Sequence, residues 1–461
     1  MIRLTIADIA GITGGALHDV PDPSARLTAF GTCYVSAVRP GGLYVAVPGS
    51  SRNGHARAGE AIAAGAVCVL ATRPVGVPAV VVPDVARALE LLARHVLART
   101  RPTVVAVTGS VGKTTTKDLL AQVLARHDTT RATWGNLNSP TGLCLSVLST
   151  DETTRHLVLE IGAHGPGSVG RLASLVSPRV GIVLNVGSAH LGTFGTREAL
   201  AETKSELVRA LGPDGVAVLN ADDPRVAAMA RRTPGRTLTF GTRRPADVHA
   251  TGITLRAARA GFTLHTPGGS APVALRLLGA HQVHNALAAA AAAHALGMGT
   301  GDIAAALSAA EPTASGRLRI LQRPDGVTIV DDAYNASAES VRAGIDALVA
   351  YAAGRRTVAV LGRMLDLGEW SAAAHTDVGR HVGAAGVQVL VPVGEGDDIT
   401  ALTDAARNGP TPPRIEPVPD PDALLALLDT LLVAGDVVLL KASHEVGLSR
   451  AAHLLHTRAT R

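Results

Sequence analysis

Lysine is almost missing from this chain. Of its 43 basic residues only Lys113, Lys117, Lys204 and Lys441 are lysines, and arginine supplies the rest of the positive charge. Aromatic residues make up 2% of the sequence, too few for a surface on which nucleic-acid bases could stack, and no basic block stands out. A nucleic-acid partner is therefore not expected, and the net charge of +5 suits a small phosphorylated anion better. The three cysteines, Cys33, Cys68 and Cys144, lack metal-ligand spacing and leave one thiol over in any pairing. They fit a reducing compartment and read as buried packing residues. No uncharged apolar run reaches the roughly 18 residues that would suggest a membrane span, and no basic segment followed by an apolar core opens the chain. A soluble, cytoplasmic protein without a membrane partner is the expectation.

What is present is a long chain of 461 residues, 47% of them apolar, enough for two or three packed cores. Residues 1–100 carry short apolar runs, GGLYVAVPG and GAVCVLA, and end on the amphipathic stretch VARALELLARHVLART. Arg101-Pro102 reads as a linker. From 103 the pattern becomes strand, glycine turn and helix: TVVAVTGSVGKTTTKDLLAQVLARH, then HLVLEIGAHGPG, RVGIVLNVGSAHLG and GVAVLNADD, closed by the alanine-rich HNALAAAAAAHALG. A further unit opens near 312 with GVTIVDDAYN, RTVAVLG, VQVLVPVG and DVVLLKAS. Buried strands alternating with helices predict an α/β protein with mostly parallel sheets. The boundaries read as 1–100, 101–311 and 312–461. The Pro-rich NGPTPPRIEPVPDPD inside the last unit reads as a surface loop.

The segment TVVAVTGSVGKTTT sets Gly109, Gly112, Lys113 and Thr114 between a buried strand and an amphipathic helix. Backbone N–H groups at such a turn, with the helix dipole behind them, cradle an anion. The lysine reaches the terminal phosphates, and the threonine hydroxyl can bind Mg²⁺. The common phosphate loop would have its first glycine where Val107 stands. No Asn-Lys-x-Asp segment for reading guanine occurs, which favours adenine. Lys117, one turn further on, reads as a solvated helix residue. Glu160 ends one strand and His190 follows another. In a parallel sheet both fall on the edge that carries the phosphate loop.

These segments together resemble the Mur ligases, ATP-dependent amide-forming enzymes of peptidoglycan precursor synthesis, over nearly the whole chain. VTGSVGKTTTKD resembles their phosphate loop, with Ser110 and Thr115 beside the residues named above. GNLNSPTG resembles the asparagine-rich segment, with Asn136 and Asn138 on the substrate side. VLEIG and NVGSAHLG resemble the magnesium ligands. GAHQVHNALAA resembles the adenine-side motif, with His281 and Asn285 at matching positions, and SGRL supplies Arg317. VDDAYNAS supplies Asp332, expected near the ribose, with Tyr334 and Asn335 on the substrate side. KASH adds Lys441 and Ser443. DDAYNA and VLGRMLDLGE point within the family to the type that adds D-alanyl-D-alanine to a UDP-linked muramoyl tripeptide.

The resemblance implies three domains: an N-terminal α/β substrate domain for the UDP end, a central parallel-sheet ATPase and a C-terminal Rossmann-like domain that closes over the site. It implies ATP and Mg²⁺ as cofactors, an ADP-forming reaction through an acyl phosphate, and a carboxylate and an amino acid or dipeptide as substrates. A monomer is expected. In the family the lysine matching Lys204 carries CO₂ as a carbamate, which turns a cation into an anionic metal ligand beside Thr114, Glu160 and His190. Lysine can lose its proton and take up CO₂, whereas arginine stays charged.

Departures from the family pattern gather on the substrate side. Tyr34, Val35 and Ser36 stand where Asp-Ser-Arg is usual. Asn53 and Arg57 replace an aspartate and an aromatic, although Gly54 and His55 remain. Ser139 and Pro140 replace Asn-Glu, and Ser337 and Ala338 replace Asn-Pro. Arg363 stands for an acidic residue and His444 for an arginine. Two readings stay open: a ligase of peptidoglycan synthesis, or a relative joining another carboxylate and amine in a specialised pathway.

Overall fold

The structure is a computed structural model and describes residues 2–48 and 53–458. Three sheets follow one another along the chain. The first has four strands in the order Ala16–His18, Ala79–Val81, Cys68–Ala71, Leu43–Val45, antiparallel at the first pair and parallel elsewhere. Its helix Val85–Thr100 starts where Asp84 accepts hydrogen bonds from the backbone N–H groups of Ala86 and Arg87, and it buries Leu89, Leu92 and Val96, as the amphipathic pattern predicts. That face packs against helix Pro140–Leu148 of the next unit, so one apolar core runs from Ile9 and Leu92 to Leu143 and Leu148.

The central sheet has nine strands, ordered Gly269–Leu278, Arg259–Thr266, Val248–Arg256, Arg236–Gly241, Val216–Asn220, Val180–Val183, Thr103–Thr108, His156–Glu160, Thr130–Ala132. From Val248–Arg256 to the last strand every neighbour is parallel. The first three strands form an antiparallel meander, in a stretch between GVAVLNADD and HNALAAAAAAHALG to which the sequence pattern assigns no element. Its half-buried alternation, with Ala260, Phe262 and Leu264 inward, lets one face cover helix Gln282–Ala295 while the other meets solvent. Ala286 and Ala288 to Ala293 of that helix are fully buried; with no long side chains there, the helix lies close against the sheet. A further helix, Thr300–Ala309, follows.

The third sheet has six strands, ordered Arg319–Gln322, Thr328–Asp331, Val437–Lys441, Thr357–Gly362, Val389–Val393, Arg414–Ile415, antiparallel only at the first pair. The Pro-rich segment is thus not merely a loop. Arg414–Ile415 pairs with Val389 and Leu390, and Val418 bridges to Val393, prolines being tolerated at a sheet edge. Among the described residues no helix is long and apolar enough to cross a membrane.

Several substrate-side departures are helix starts. Ser139 accepts a hydrogen bond from the Gly142 N–H, and Pro140 takes the first helical position, where its missing N–H costs nothing. Ser337 opens helix Ala338–Ala352 in a capping box with Ser340. Cys68 and Cys144 are buried as expected, and burial pushes both thiols up to about 12; Cys33 is only partly buried.

Candidate active site

Strand Thr103–Thr108 is buried along most of its length, and the chain leaves its C-terminal end through Gly109. A Cβ there would stand 2.8 Å from Leu184 Cβ, so the close approach of the two strand ends requires glycine. Gly112 has φ +86°, and a Cβ on it would meet Asn285 Oδ1 at 2.4 Å. It precedes helix Lys113–Leu124, whose N-terminus has no side-chain cap, leaving first-turn N–H groups for an anion. Asn185 holds the loop in shape: its Oδ1 accepts from Ser110 N (3.1 Å) and Val111 N (2.9 Å), and its Nδ2 donates to Val111 O (3.0 Å). Lys113 Nζ donates to Gly109 O at 2.9 Å and Ser110 O at 3.3 Å. Burial draws the Lys113 ammonium below its ordinary pKa, against the pull of Glu160.

Glu160 is 1% exposed and satisfied on both oxygens. Thr114 Oγ1 donates to Oε2 at 2.8 Å and Asn138 Nδ2 to Oε1 at 2.7 Å. One carboxylate thus ties the phosphate-loop helix to the asparagine-rich loop. Lys117 corrects the sequence expectation. It is buried, not solvated, and donates to Thr133 O (2.7 Å) and Gly135 O (3.0 Å). It thereby pins the backbone on both sides of Trp134, which is 67% exposed, and leads into Asn136. The ion-dipole bonds to two carbonyls, with Asp118 Oδ1 2.5 Å away, keep this buried ammonium paired.

Lys204 lies on helix Arg197–Arg209 with its side chain turned inward, 1% exposed. Among the described residues it has no hydrogen-bond or ion-pair partner. Burial first, and the Lys113 charge second, hold its pKa well below the ordinary lysine range. Both lysines also act electrostatically on His190, so the three groups share one neighbourhood. His190 sits at φ +67° before the short helix Leu191–Phe194. Its Nδ1 lies 2.7 Å from Asp366 Oδ2 of the third unit. Burial lowers the imidazole pKa and the Asp366 bond opposes it.

The residues expected on the nucleotide side form a second group. Asn285 Oδ1 accepts from Thr116 Oγ1 at 3.3 Å, and its Nδ2 donates to Gln282 Oε1 at 2.8 Å. Asp332 accepts from Leu318 N (3.2 Å) and pairs with Lys441 Nζ at 2.5 Å, while Lys441 also donates to Asn335 O at 3.0 Å. His281, beside Asp332 and Lys441, is pushed down to about 4 by burial. The Arg317 guanidinium lies 4.3 Å over the Tyr334 ring, and Tyr334 leans on His444 with centroids 5.8 Å apart. Thr115 and Arg317 line one groove with Gln122 and Glu311. Ser443 Oγ accepts from Leu365 N at 2.9 Å.

The structure therefore gathers Lys113, Thr114, Glu160, Asn138, His190 and Lys204 at one sheet edge. Asn185, Glu339 and Asp366 join them unannounced by sequence. Glu339 receives Ser188 N and Ser188 Oγ at 2.9 and 2.8 Å. The third unit thus grips the loop that carries His190. Among the described residues no three His, Cys, Asp or Glu side chains could hold a metal ion by themselves. The Thr114 hydroxyl and Glu160 carboxylate nevertheless lie in the neighbourhood of His190, whose Nδ1 is engaged by Asp366, and of the one buried amine that lacks a partner. That donor set fits an ion whose remaining ligands come from phosphate.

Comparison with known proteins bears on both units. Residues 107–293 match the Mur ligase middle domain, and residues 316–444 the Mur ligase glutamate ligase domain. A Mycobacterium tuberculosis protein named UDP-N-acetylmuramoyl-tripeptide--D-alanyl-D-alanine ligase is 43% identical over 99% of this chain and 98% of its own. The crystal structure of MurF from Acinetobacter baumannii superposes with a TM-score of 0.83 at 30% identity, covering 99% of both chains. MurF ligase from Thermotoga maritima in complex with ADP does so at 0.77 and 31%, covering 94% of this chain and 98% of that one.

Proposed function

The chain belongs to the Mur ligase family, and from that premise we propose that it joins D-alanyl-D-alanine to a UDP-N-acetylmuramoyl tripeptide at the expense of ATP. The terminal carboxylate of the tripeptide attacks the γ-phosphorus, the bond to the β-phosphate oxygen breaks, and an acyl phosphate and ADP result. The dipeptide amine then attacks the acyl carbon, loses a proton and expels phosphate, leaving the amide. A cytoplasmic location is part of the same reading. A monomer built of domains 1–100, 101–311 and 312–461 is part of this reading.

Lys113 and the N–H groups of Gly112 to Thr115 hold the phosphates as negative charge moves between them, in a loop whose Ser110 and Val111 N–H groups are taken up by Asn185. Arg317, Asp332, His281 and Asn285 take the nucleoside side. Asn136, Asn138, Tyr334 and Asn335 face the peptide substrates, whereas Lys441 and Ser443, expected beside them, are buried and act from behind by holding Asp332, Asn335 O and the Leu365 N–H. Mg²⁺, when bound by Thr114, Glu160, His190 and Lys204 as its carbamate, would screen the repulsion between carboxylate and triphosphate.

The observation that carries this reading is the buried, partnerless amine of Lys204. A neutral amine adds CO₂ and releases one proton, giving an anion where the surrounding Lys113 charge favours one. The test is ADP release with each substrate omitted in turn. Release requiring both the muramoyl tripeptide and D-alanyl-D-alanine, with the mass of the joined product, is expected; AMP and pyrophosphate instead would sink the acyl-phosphate route. Tyr34, Val35 and Ser36 favour a second reading, in which the acceptor carboxylate carries no UDP, and the same assay with UDP-free carboxylates separates the two.

A further inference from the structure

We infer that Asp366 is a positioning residue that fixes the orientation of His190 and does so only while the third unit is docked on the second. The inference rests on the reading of His190 as a metal-facing group. Asp366 belongs to the segment after strand Thr357–Gly362, whereas His190 follows strand Val180–Val183. The contact therefore spans the two units. Asp366 Oδ2 lies 2.7 Å from His190 Nδ1, and its Oδ1 accepts from Thr193 Oγ1 at 2.9 Å. The Asp366 carbonyl accepts from Gly192 N at 3.0 Å. One residue thus clasps three positions of the short turn that begins with His190.

Both partners are held in uncommon backbone: His190 has φ +67° and Asp366 φ +59°. Non-glycine residues adopt that region at a cost and only where their surroundings impose it. Around Asp366 those surroundings are rigid. His375, fully buried, accepts from Met364 N at 3.0 Å and is itself oriented by a bond from Nδ1 to Ser371 O at 2.8 Å. Ser443 accepts from Leu365 N, and its own N–H donates to Arg363 O at 3.0 Å. Trp370 Nε1 reaches Gly195 O at 3.4 Å, beyond the far end of the same turn.

A carboxylate on Nδ1 places the ring proton there and leaves the Nε2 lone pair free, the arrangement that orients histidines for metal ions. Because the carboxylate comes from the third unit, undocking that unit frees the ring. Site assembly and closure are then the same event, and an open molecule holding ATP lacks one oriented ligand.

The test uses full-length protein labelled with ¹⁵N-histidine, with the His190 signals assigned by their loss in His190→Gln. Long-range ¹H–¹⁵N spectra are expected to show the wild-type ring protonated on Nδ1, and a mixture of tautomers in Asp366→Ala. Mn²⁺ binding in the presence of ADP, followed by electron paramagnetic resonance, should weaken about 10- to 100-fold in Asp366→Ala. Asp366→Asn, which still offers an oxygen to Nδ1, should lose less, and ADP affinity without metal should stay unchanged in both. A wild-type ring protonated on Nε2, or equal Mn²⁺ affinity in Asp366→Ala, would overturn the inference. Should Asp366→Ala fail to fold, Asp366→Asn and Thr193→Val carry the same comparison. Neither readout requires amide formation, so absence of ligase activity would remove the functional reading and leave this one decided on its own.

Discussion

The interior of the first unit and the interior of the second differ in kind. In the first, the buried polar side chains among the described residues are Thr32, His55 and Thr100. His55 is a satisfied core histidine whose Nε2 accepts from Thr72 N at 3.1 Å. In the second, Ser110, Thr114, Thr116, Lys117, Glu160, Lys204 and Asn285 are all buried along the edge where the parallel strands end. Burying such groups is costly unless each is paired, and most are. The exception, Lys204, is where chemistry is to be expected. Buried lysine and glutamate in the second unit thus lie along the edge where phosphate binding is proposed, while the first unit buries no lysine or carboxylate among the described residues.

That contrast predicts effects of graded size. The largest is at Lys204. Lys204→Arg should leave ATP binding nearly intact and abolish ADP release, because arginine stays cationic where an anion is needed. Lys204→Ala should be equally inactive but partly restored by small carboxylates that enter the space. Near-normal turnover by Lys204→Arg would make the buried amine a packing residue.

Next in size is Lys441. Lys441→Met removes the partner of buried Asp332, and a buried charge left alone costs about 3–5 kcal/mol. Denaturant midpoints should fall accordingly, and a drop no larger than that of a surface substitution would show that solvent reaches Asp332.

A smaller effect is expected at His281. Its folded pKa of about 4 lies below the ordinary value of 6.5, so the unfolded chain binds an extra proton between those values. Stability should therefore fall as pH drops from about 6.5 to 4, by up to about 3 kcal/mol before screening of its part-exposed ring is allowed for. His281→Gln should flatten that part of the profile. An unchanged slope would remove His281 as its source.

The first unit should respond least. Tyr34→Asp, Val35→Ser and Ser36→Arg together should tighten binding of the UDP-linked tripeptide about 10- to 100-fold, the worth of one restored charge-assisted hydrogen bond, with a small fall in melting temperature because half-buried Val35 packs on the apolar core of the first unit. Calorimetric titration decides it. Equal affinity in both proteins would mean that the uridine end is held elsewhere.

What could be read from the sequence was what is local. The strand, glycine turn and helix at 103–124 follow from hydrophobic runs and two glycines, and Ser139-Pro140 is a helix start that the residues themselves announce. Lys117 could not be read, because its burial depends on the 133–135 backbone returning across the helix. Asp366 was out of reach for a similar reason: its partner lies 176 positions away on another sheet. The 248–278 strands were legible in principle, since their inward residues alternate, but several neighbouring residues are glycine, threonine and arginine, which blur the period.

The scarcity of lysine has a last consequence, visible once all four are placed. Lys117, Lys204 and Lys441 are 2%, 1% and 2% exposed, and Lys113 is partly covered within the phosphate loop. The outer surface of the folded chain therefore offers arginine where most proteins offer lysine, and guanidinium groups do not act as nucleophiles near neutral pH. A ligase whose proposed reaction makes an activated acyl group thus keeps its own side-chain amines away from solvent. Acylating agents that escape the cleft find almost no lysine on the outside of the protein to modify.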